Sequence, residues 1–247
     1  MRVLRKGGDF ADQRIHSYAN EMLGVFAVSA LVLIVFGYFG LQIIGLCAAV
    51  AVVVANKRTF RLFSSWARGK QGEVSVADVL GSLPHDYVLL NDLMLPERGG
   101  NVDHFLIGPN GLFVIETKNY SGYVKCDGDR WFVYRREINS LSKQAKRNSM
   151  AIRANLGRLI AQRKGKVPYV NPLLVFVNPK TRLKLYKPTL PVLRLQELVE
   201  FIRDHKCYST VSPELRHAIV RHLQSLQNPT RNVPIHNRFH SPAAPKS

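Results

Sequence analysis

The residues best suited to chemistry lie in two short stretches, Asn101-Val102-Asp103 and Ile115-Glu116-Thr117-Lys118. Between them, two apolar runs flank the turn signal Gly108-Pro109-Asn110-Gly111. Asn and Gly tolerate positive φ, so this pattern predicts a hairpin. Asp103 then opens one strand, while Glu116 and Lys118 end its neighbour. Residues i and i+2 of a strand share a face, so Glu116 and Lys118 project together. Two carboxylates and an ammonium beside so apolar a ribbon are costly to bury unless they pair or bind a metal. Such a set suits metal-assisted hydrolysis of a phosphodiester.

The elements that must position this ribbon follow from periodicity. Gly69 to Glu73 leads into Val74, Val76, Ala77, Val79 and Leu80, an amphipathic helix ending near Gly81-Ser82-Leu83-Pro84. Residues 87–90 predict a short strand, and 93–100 a loop carrying Pro96, Gly99 and Gly100. A second hairpin is expected from 123–126 and 131–134 across Asp127-Gly128-Asp129. Residues 140–162 predict a long basic helix, with Leu141, Ala145, Met150, Ile152, Leu156, Leu159 and Ile160 on its apolar side. The run 173–177, with prolines just outside it, reads as a buried central strand. Val192-Leu193 reads as another strand, feeding a helix over 196–204. A last helix follows Ser212-Pro213-Glu214, where Ser and Pro supply the cap and first turn. The sum is a mixed α/β domain over 69–227, with a polar tail over 228–247 expected to be disordered.

Charge and hydropathy add a second module. From Met22 to Ala55 no charged residue occurs, and the stretch breaks at Gly37-Tyr38-Phe39-Gly40. A span needs roughly 20 apolar residues, so two short turned spans, near 22–38 and 41–55, are expected within a membrane segment over 22–56. Arg2, Arg5, Lys6 and Arg14 precede this segment, in a basic N-terminus over 1–21. Lys57, Arg58, Arg61, Arg68 and Lys70 follow it, most of them in a juxtamembrane linker over 57–68. Positive flanks belong to the cytoplasmic side, and two such flanks require an even number of crossings. A single tilted span and a buried soluble helix pair are the competing readings. A signal peptide fits poorly, because the run is too long and no small-residue cleavage site closes it. The expected location is therefore a bacterial inner membrane, with the soluble domain and both flanks cytoplasmic. The whole chain carries 35 Lys and Arg against 17 Asp and Glu, an excess that implies a polyanionic partner, nucleic acid or an anionic membrane. Cys47, Cys126 and Cys207 show neither metal-ligand nor disulfide spacing.

Several motifs together resemble a known family. Gly72-Glu73 opening a helix, Asn101-Val102-Asp103-His104, Gly108-Pro109-Asn110-Gly111, Glu116-Thr117-Lys118-Asn119 with Gly122, and Gln144 in the next helix are similar to the nuclease-related domain, NERD. That family is placed in the restriction-endonuclease-like PD-(D/E)XK superfamily, and the resemblance covers roughly residues 67–180. It implies a restriction-endonuclease-like core, a mixed sheet flanked by helices, which in this chain follows the transmembrane hairpin expected from hydropathy and charge. It also makes Asp103 and Glu116 metal-binding carboxylates, Lys118 the motif lysine, Glu73 an auxiliary acid and Gln144 a positioning group. Val102 stands where the superfamily motif has proline.

The implied activity is hydrolysis of nucleic acid, with DNA the expected substrate and Mg²⁺ or Mn²⁺ the cofactor. Hard cations of this kind take a few carboxylate oxygens and keep several waters. Lys143, Lys146, Arg147 and Arg153, on the basic helix, are candidate phosphate contacts of the salt-sensitive, sequence-independent kind. Tyr120, Tyr123, Trp131 and Tyr134 are either stacking groups or members of a packed hairpin. Two other readings stand beside catalysis: a buried Asp–Glu–Lys network that only ties strands together, and an inactive membrane-tethered nucleic-acid-binding or scaffold protein. In a third, the basic segment after Ala55 is simply a lipid anchor. His85, His104, His205, His217 and His222 show no zinc spacing. Oligomeric state is not encoded in any motif.

Overall fold

The computed structural model describes residues 1–5, 9–95, 101–161, 167–206 and 211–227. The expected disordered tail, Cys207 and residues 96–100 of the expected 93–100 loop lie outside the described residues, while Leu93 and Met94 end a strand instead. The centre is a six-stranded mixed sheet, ordered β1-β2-β3-β4-β8-β10. Its strands are β1 (Arg2–Arg5), β2 (Val88–Met94), β3 (Asn101–Gly108), β4 (Gly111–Lys118), β8 (Val170–Phe176) and β10 (Val192–Arg194). β2, β3 and β4 form an antiparallel meander, whereas β4, β8 and β10 run parallel. The smaller sheet, ordered β7-β6-β5-β9, holds β5 (Gly122–Asp127), β6 (Arg130–Val133), β7 (Arg136–Ile138) and β9 (Thr181–Tyr186).

Alternation along the strands divides the core. Leu112 and Val114 of β4 turn to one face, joining Ile152, Leu156 and Ile160 of α4 (Leu141–Ala161) and Ile219 and Leu223 of α6 (Pro213–Gln227). Phe113 and Ile115 turn to the other, joining Val76 and Leu80 of α3 (Lys57–Leu80) and Leu198 and Ile202 of α5 (Leu198–Asp204). The large sheet is thus sandwiched between helices. A third cluster, including Trp131, Leu141, Ala145 and Phe176, fastens the small sheet to the start of α4 and the end of β8.

Two further expectations change, and the N-terminus adds an element. Residues 57–68 are not a linker but the first half of α3, continuous with the helix carrying Glu73. The N-terminus is structured: β1 pairs in parallel with β2, and the Met1 nitrogen donates to the Leu83 carbonyl at 2.9 Å. Met150 is 70% exposed, because α4 meets the core through Ile152, Leu156 and Ile160 instead.

The apolar segment forms α1 (Asp9–Tyr38) and α2 (Gln42–Ala55), joined by a turn at Gly40, φ 73°. α1 packs on both α2 and α3. Asp12 pairs with Lys70, and Thr59 donates to Glu21 at 3.3 Å, so the polar half of α1 runs along α3. Beyond Glu21 the apolar half runs along α2, and both helices keep apolar side chains outward, with Ile34 of α1 69% and Ile43 of α2 80% exposed. Among the described residues, the helix Asp12–Tyr38 is long and apolar enough to cross a membrane; α2 and α3, bent by 47°, make a second candidate only if counted as one span.

Candidate active site

The site forms where two strands part. β3 and β4 pair as far as His104 and Ile115, after which β4 continues beside β8 alone. Extending that register by one step sets Asp103 across from Glu116 at the mouth of the split. Thr117 N–H, released from the ladder, donates to Asp103 Oδ2 at 2.8 Å. A strand residue's N–H and C=O leave on the same edge, so the Thr117 carbonyl faces this notch as well.

Glu116 and Lys118 share the face toward α4, as their spacing requires. Lys118 Nζ donates to Glu116 Oε1 at 2.7 Å and to Gln144 Oε1 at 3.2 Å. Gln144 Nε2 donates to Glu116 Oε1 at 2.5 Å, closing a three-membered ring of contacts. Asn148, one turn further along α4, donates to Glu116 Oε2 at 3.1 Å and to the Asn101 carbonyl at 3.3 Å. Gln144 and Asn148 thereby fix the Glu116 carboxylate from the helix side.

Glu73 enters from the opposite layer. Its helix comes close to β4 at Gly72, where an added Cβ would lie 3.0 Å from Val177 and 3.2 Å from Thr117 side chains. Glu73, Asn101, Asp103, Glu116, Thr117, Lys118, Gln144 and Asn148 all line one solvent-open cleft of about 520 Å³. Ser65, Trp66, Arg68 and Gly69 of α3 form another wall of it, and Arg147 and Tyr120 complete the rim.

Electrostatics follow from this crowding. Burial, then the charges of Asp92 and Glu116, push the Glu73 carboxyl up to about 7. Burial and the neighbouring Glu116 likewise hold Asp103 well above the ordinary carboxylate range. For Lys118 burial acts downward, but Glu116 and Asp103 together outweigh it and raise the ammonium above its usual value. Lys118 is therefore a charged donor rather than a proton acceptor. His104, although adjacent to Asp103, is buried with Nδ1 2.7 Å from Asn91 Oδ1, and burial lowers it to about 3. It is neutral near pH 7 and belongs to the core.

All five residues predicted for catalysis, Asp103, Glu116, Lys118, Glu73 and Gln144, line this cleft. The four predicted phosphate contacts diverge. Arg147 stands on the cleft rim and Lys143 is exposed on α4. Lys146 bonds Asp129 at 3.0 Å and Thr189 at 2.7 Å, and with Arg153 it lines a separate cavity of about 330 Å³. Sequence reasoning missed Asn148, whose spacing of four from Gln144 was the available signal. It also missed Asp92, buried on β2 with left-handed φ 53° and bonded by Asn101, at the break in the ladder beside Asp103.

Residues 68–177 match the family profile of the nuclease-related domain. This part of the chain is a NERD domain. It begins on α3 just before Gly72 and ends just after β8, so every residue of the Glu116–Lys118–Gln144 network falls inside it. An uncharacterized protein of Bacillus anthracis is 38% identical over 61 residues, which are 23% of this chain and 29% of that protein. The chain thus spans less than a third of that relative's length. No solved structure matches the chain.

Proposed function

We propose that the NERD domain is a divalent-metal-dependent nuclease of restriction-endonuclease-like type, held at a membrane by α1 and α2, with DNA as its substrate. The observation that carries this reading is the convergence of Asp103, Glu116, Lys118 and Gln144 in one solvent-open cleft.

The residues present fit a hard cation. Among the described residues, no three His, Cys, Asp or Glu side chains group tightly enough to ligate a metal unaided. Asp103 Oδ1 nevertheless has no hydrogen bond among the described residues, and Glu116 Oε2 takes only Asn148. With the Thr117 carbonyl they make a sparse oxygen set, which suits Mg²⁺ or Mn²⁺ retaining several waters. The raised Asp103 and Glu73 carboxyls point the same way, since crowded acids gain from a bound cation as they do from a proton. When bound, such an ion supplies Lewis-acid stabilisation and a water of lowered pKa.

The chain's own groups supply the rest. Lys118 stays protonated and places fixed positive charge where charge develops on the phosphoryl group. Gln144 accepts from Lys118 while donating to Glu116, so it holds both in register. Arg68 and Arg147 flank the cleft as phosphate contacts. Glu73, its carboxyl pushed up to about 7 by burial and neighbouring charge, can take or give a proton near neutrality.

The membrane part of the proposal rests on two features. No charge interrupts residues 22–55, and their apolar side chains face outward. Both ends of the segment also return to one body, since β1 joins the large sheet and α3 packs against it. That arrangement favours two crossings with both flanks on one side. The apolar halves are about 25 and 21 Å long at ~1.5 Å per residue, shorter than a ~30 Å hydrocarbon core, so the bilayer would thin around them.

The rival reading is an inactive binding module. It draws on the same network, because Lys118, Gln144 and Asn148 already satisfy much of Glu116. The test is to incubate the purified full chain with single- and double-stranded DNA and RNA, with Mg²⁺ or with EDTA. Cleavage that needs Mg²⁺ supports the nuclease; binding without cleavage of any form supports the rival.

A further inference from the structure

The small sheet has a solvent face that the catalytic cleft does not use. Val124 and Cys126 of β5 turn inward with Trp131, which leaves Tyr123, Lys125 and Asp127 pointing out. Register sets Lys125 between Phe132 of β6 and Lys184 of β9. In the same way it sets Asp127 between Arg130 and Tyr186, and Tyr123 beside Arg182. The outer face therefore interleaves three rings, Tyr123, Phe132 and Tyr186, with four cations.

Cations and rings are in contact. Lys125 Nζ lies 5.7 Å from the Phe132 ring centre and 5.4 Å from that of Tyr186. Arg130 lies 5.2 Å from Phe132, and Lys184 lies 5.3 Å from Tyr186. Two carboxylates on this sheet are engaged: Glu137 by Arg130 at 3.0 Å, and Asp127 by Lys125 at 3.7 Å. Arg182 and Lys184 have no carboxylate partner among the described residues, so the face is net positive.

One end of this face adjoins the cleft. Tyr120, on the cleft rim, stands three residues before Tyr123, and its carbonyl accepts from Thr181 Oγ1 at 2.6 Å where β9 begins. Tyr134 lies over Gly122 at the same end, and only the absence of a Cβ there (φ 80°) leaves room for its ring. Tyr134 and Arg135 both have positive φ, 47° and 68°, in a hairpin turn where Asn-Gly would be usual. From Tyr123 to Asp127 the path is about 13 Å at ~3.3 Å per residue.

Rings that can stack, cations that can meet phosphates and no constellation for reading base edges are the requirements of sequence-tolerant single-strand binding. Duplex bases are already stacked, so the rings would add nothing for them. We propose that this face of the small sheet binds single-stranded nucleic acid and leads it to the NERD cleft. Tyr123, Phe132 and Tyr186 take the bases, while Arg182 and Lys184 take phosphates. The proposal rests on the nuclease reading for the destination of the strand, and it names the form of substrate that reading receives.

Binding and cutting separate the two. The full chain in neutral detergent is titrated in EDTA against a fluorescein-labelled twelve-residue oligo-dT and a twelve-base-pair duplex, read by anisotropy. The triple change Tyr123→Ser, Phe132→Ser, Tyr186→Ser is expected to weaken the single strand at least about tenfold and leave the duplex within about twofold. Tyr123→Phe with Tyr186→Phe keeps wild-type affinity, because stacking needs the ring and not the hydroxyl. Arg182→Glu with Lys184→Glu lowers the slope of log affinity against log salt by about 1.4, at ~0.7 per phosphate lost. Equal binding by the wild type and the triple variant overturns the proposal, as does equal weakening of single strand and duplex. A third overturning result is loss of oligonucleotide binding by the wild type, but not the triple variant, on transfer to phosphatidylserine nanodiscs, which would assign the face to lipid. Failure of Mg²⁺ cleavage with these binding results intact would overturn the nuclease reading alone.

Discussion

Glu116 is 1% exposed, and donors reach both of its oxygens before any ligand arrives. That makes Asn148 a positioning residue. In Asn148→Ala, Glu116 Oε2 loses its donor, and cleavage should fall about tenfold, since one hydrogen bond to a charged group is worth roughly 1.5–3 kcal/mol. Asn148→Ser, which restores a donor, should recover part of that loss; equal rates for wild type and Asn148→Ala would remove the residue from the site. Glu73 gives a pH signature. It titrates near 4.5 when unfolded and near 7 when folded, so the folded state holds the extra proton between those values. Its stabilising contribution is complete below about 4.5 and is lost as pH rises through about 7. In EDTA, the Tm of Glu73→Gln should exceed that of wild type by a few degrees at pH 8, with the gap closing toward pH 5. A gap independent of pH would contradict the assigned cause. Asp103, Glu116 and Lys118 were legible because their charges stand out against an apolar ribbon. Asp92 was not, because its place beside the site depends on a left-handed backbone and a long-range register.

At the scale of elements, the close approach of α3 to β4 depends on Gly72. A Cβ there already meets Val177, Thr117 and Asn119 at 3.0–3.3 Å, so the branched side chain of Gly72→Val must push the helix outward. Glu73 and Arg68 move with it, and cleavage should fall at least about tenfold while Arg147→Val, on the rim, leaves the fold unchanged. Full activity in Gly72→Val would show that α3 is only a scaffold. Both hairpins were readable from local turn chemistry, Pro-Asn-Gly between β3 and β4 and Asp-Gly-Asp between β5 and β6. β9 alternates Arg182 and Lys184 with Leu183 and Leu185, but its role depends on pairing with β5 across the whole of α4 and β8. The four residues of β1 are too few to show a period. The first half of α3 read as linker because its charges hid a helix that α1 stabilises through Asp12–Lys70 and Glu21–Thr59.

For the whole molecule, β1 and α3 tie both ends of the apolar segment to one domain. A fragment beginning at Lys57 would lose the edge strand β1 and the partner of α3, so it should melt lower than the full chain. With the native cysteines replaced, Arg14→Cys and Lys57→Cys should resist an impermeant maleimide in intact cells, and Tyr38→Cys should react. Labelling of Arg14→Cys but not Lys57→Cys would mean a single crossing. The absence of charge over residues 22–55 was visible in the sequence, whereas the common anchoring of both flanks needed the sheet.

The central claim is that this cleft hydrolyses phosphodiesters. Single-turnover cleavage by the full chain in Mg²⁺ tests it most directly, using the best DNA substrate and comparing wild type with Glu116→Gln and Lys118→Ala at matched far-UV circular dichroism. Loss of at least about a hundredfold in rate in both variants is predicted, about 2.7 kcal/mol of transition-state stabilisation each. Cleavage at the wild-type rate by either variant, or undiminished cleavage in EDTA, would contradict the account.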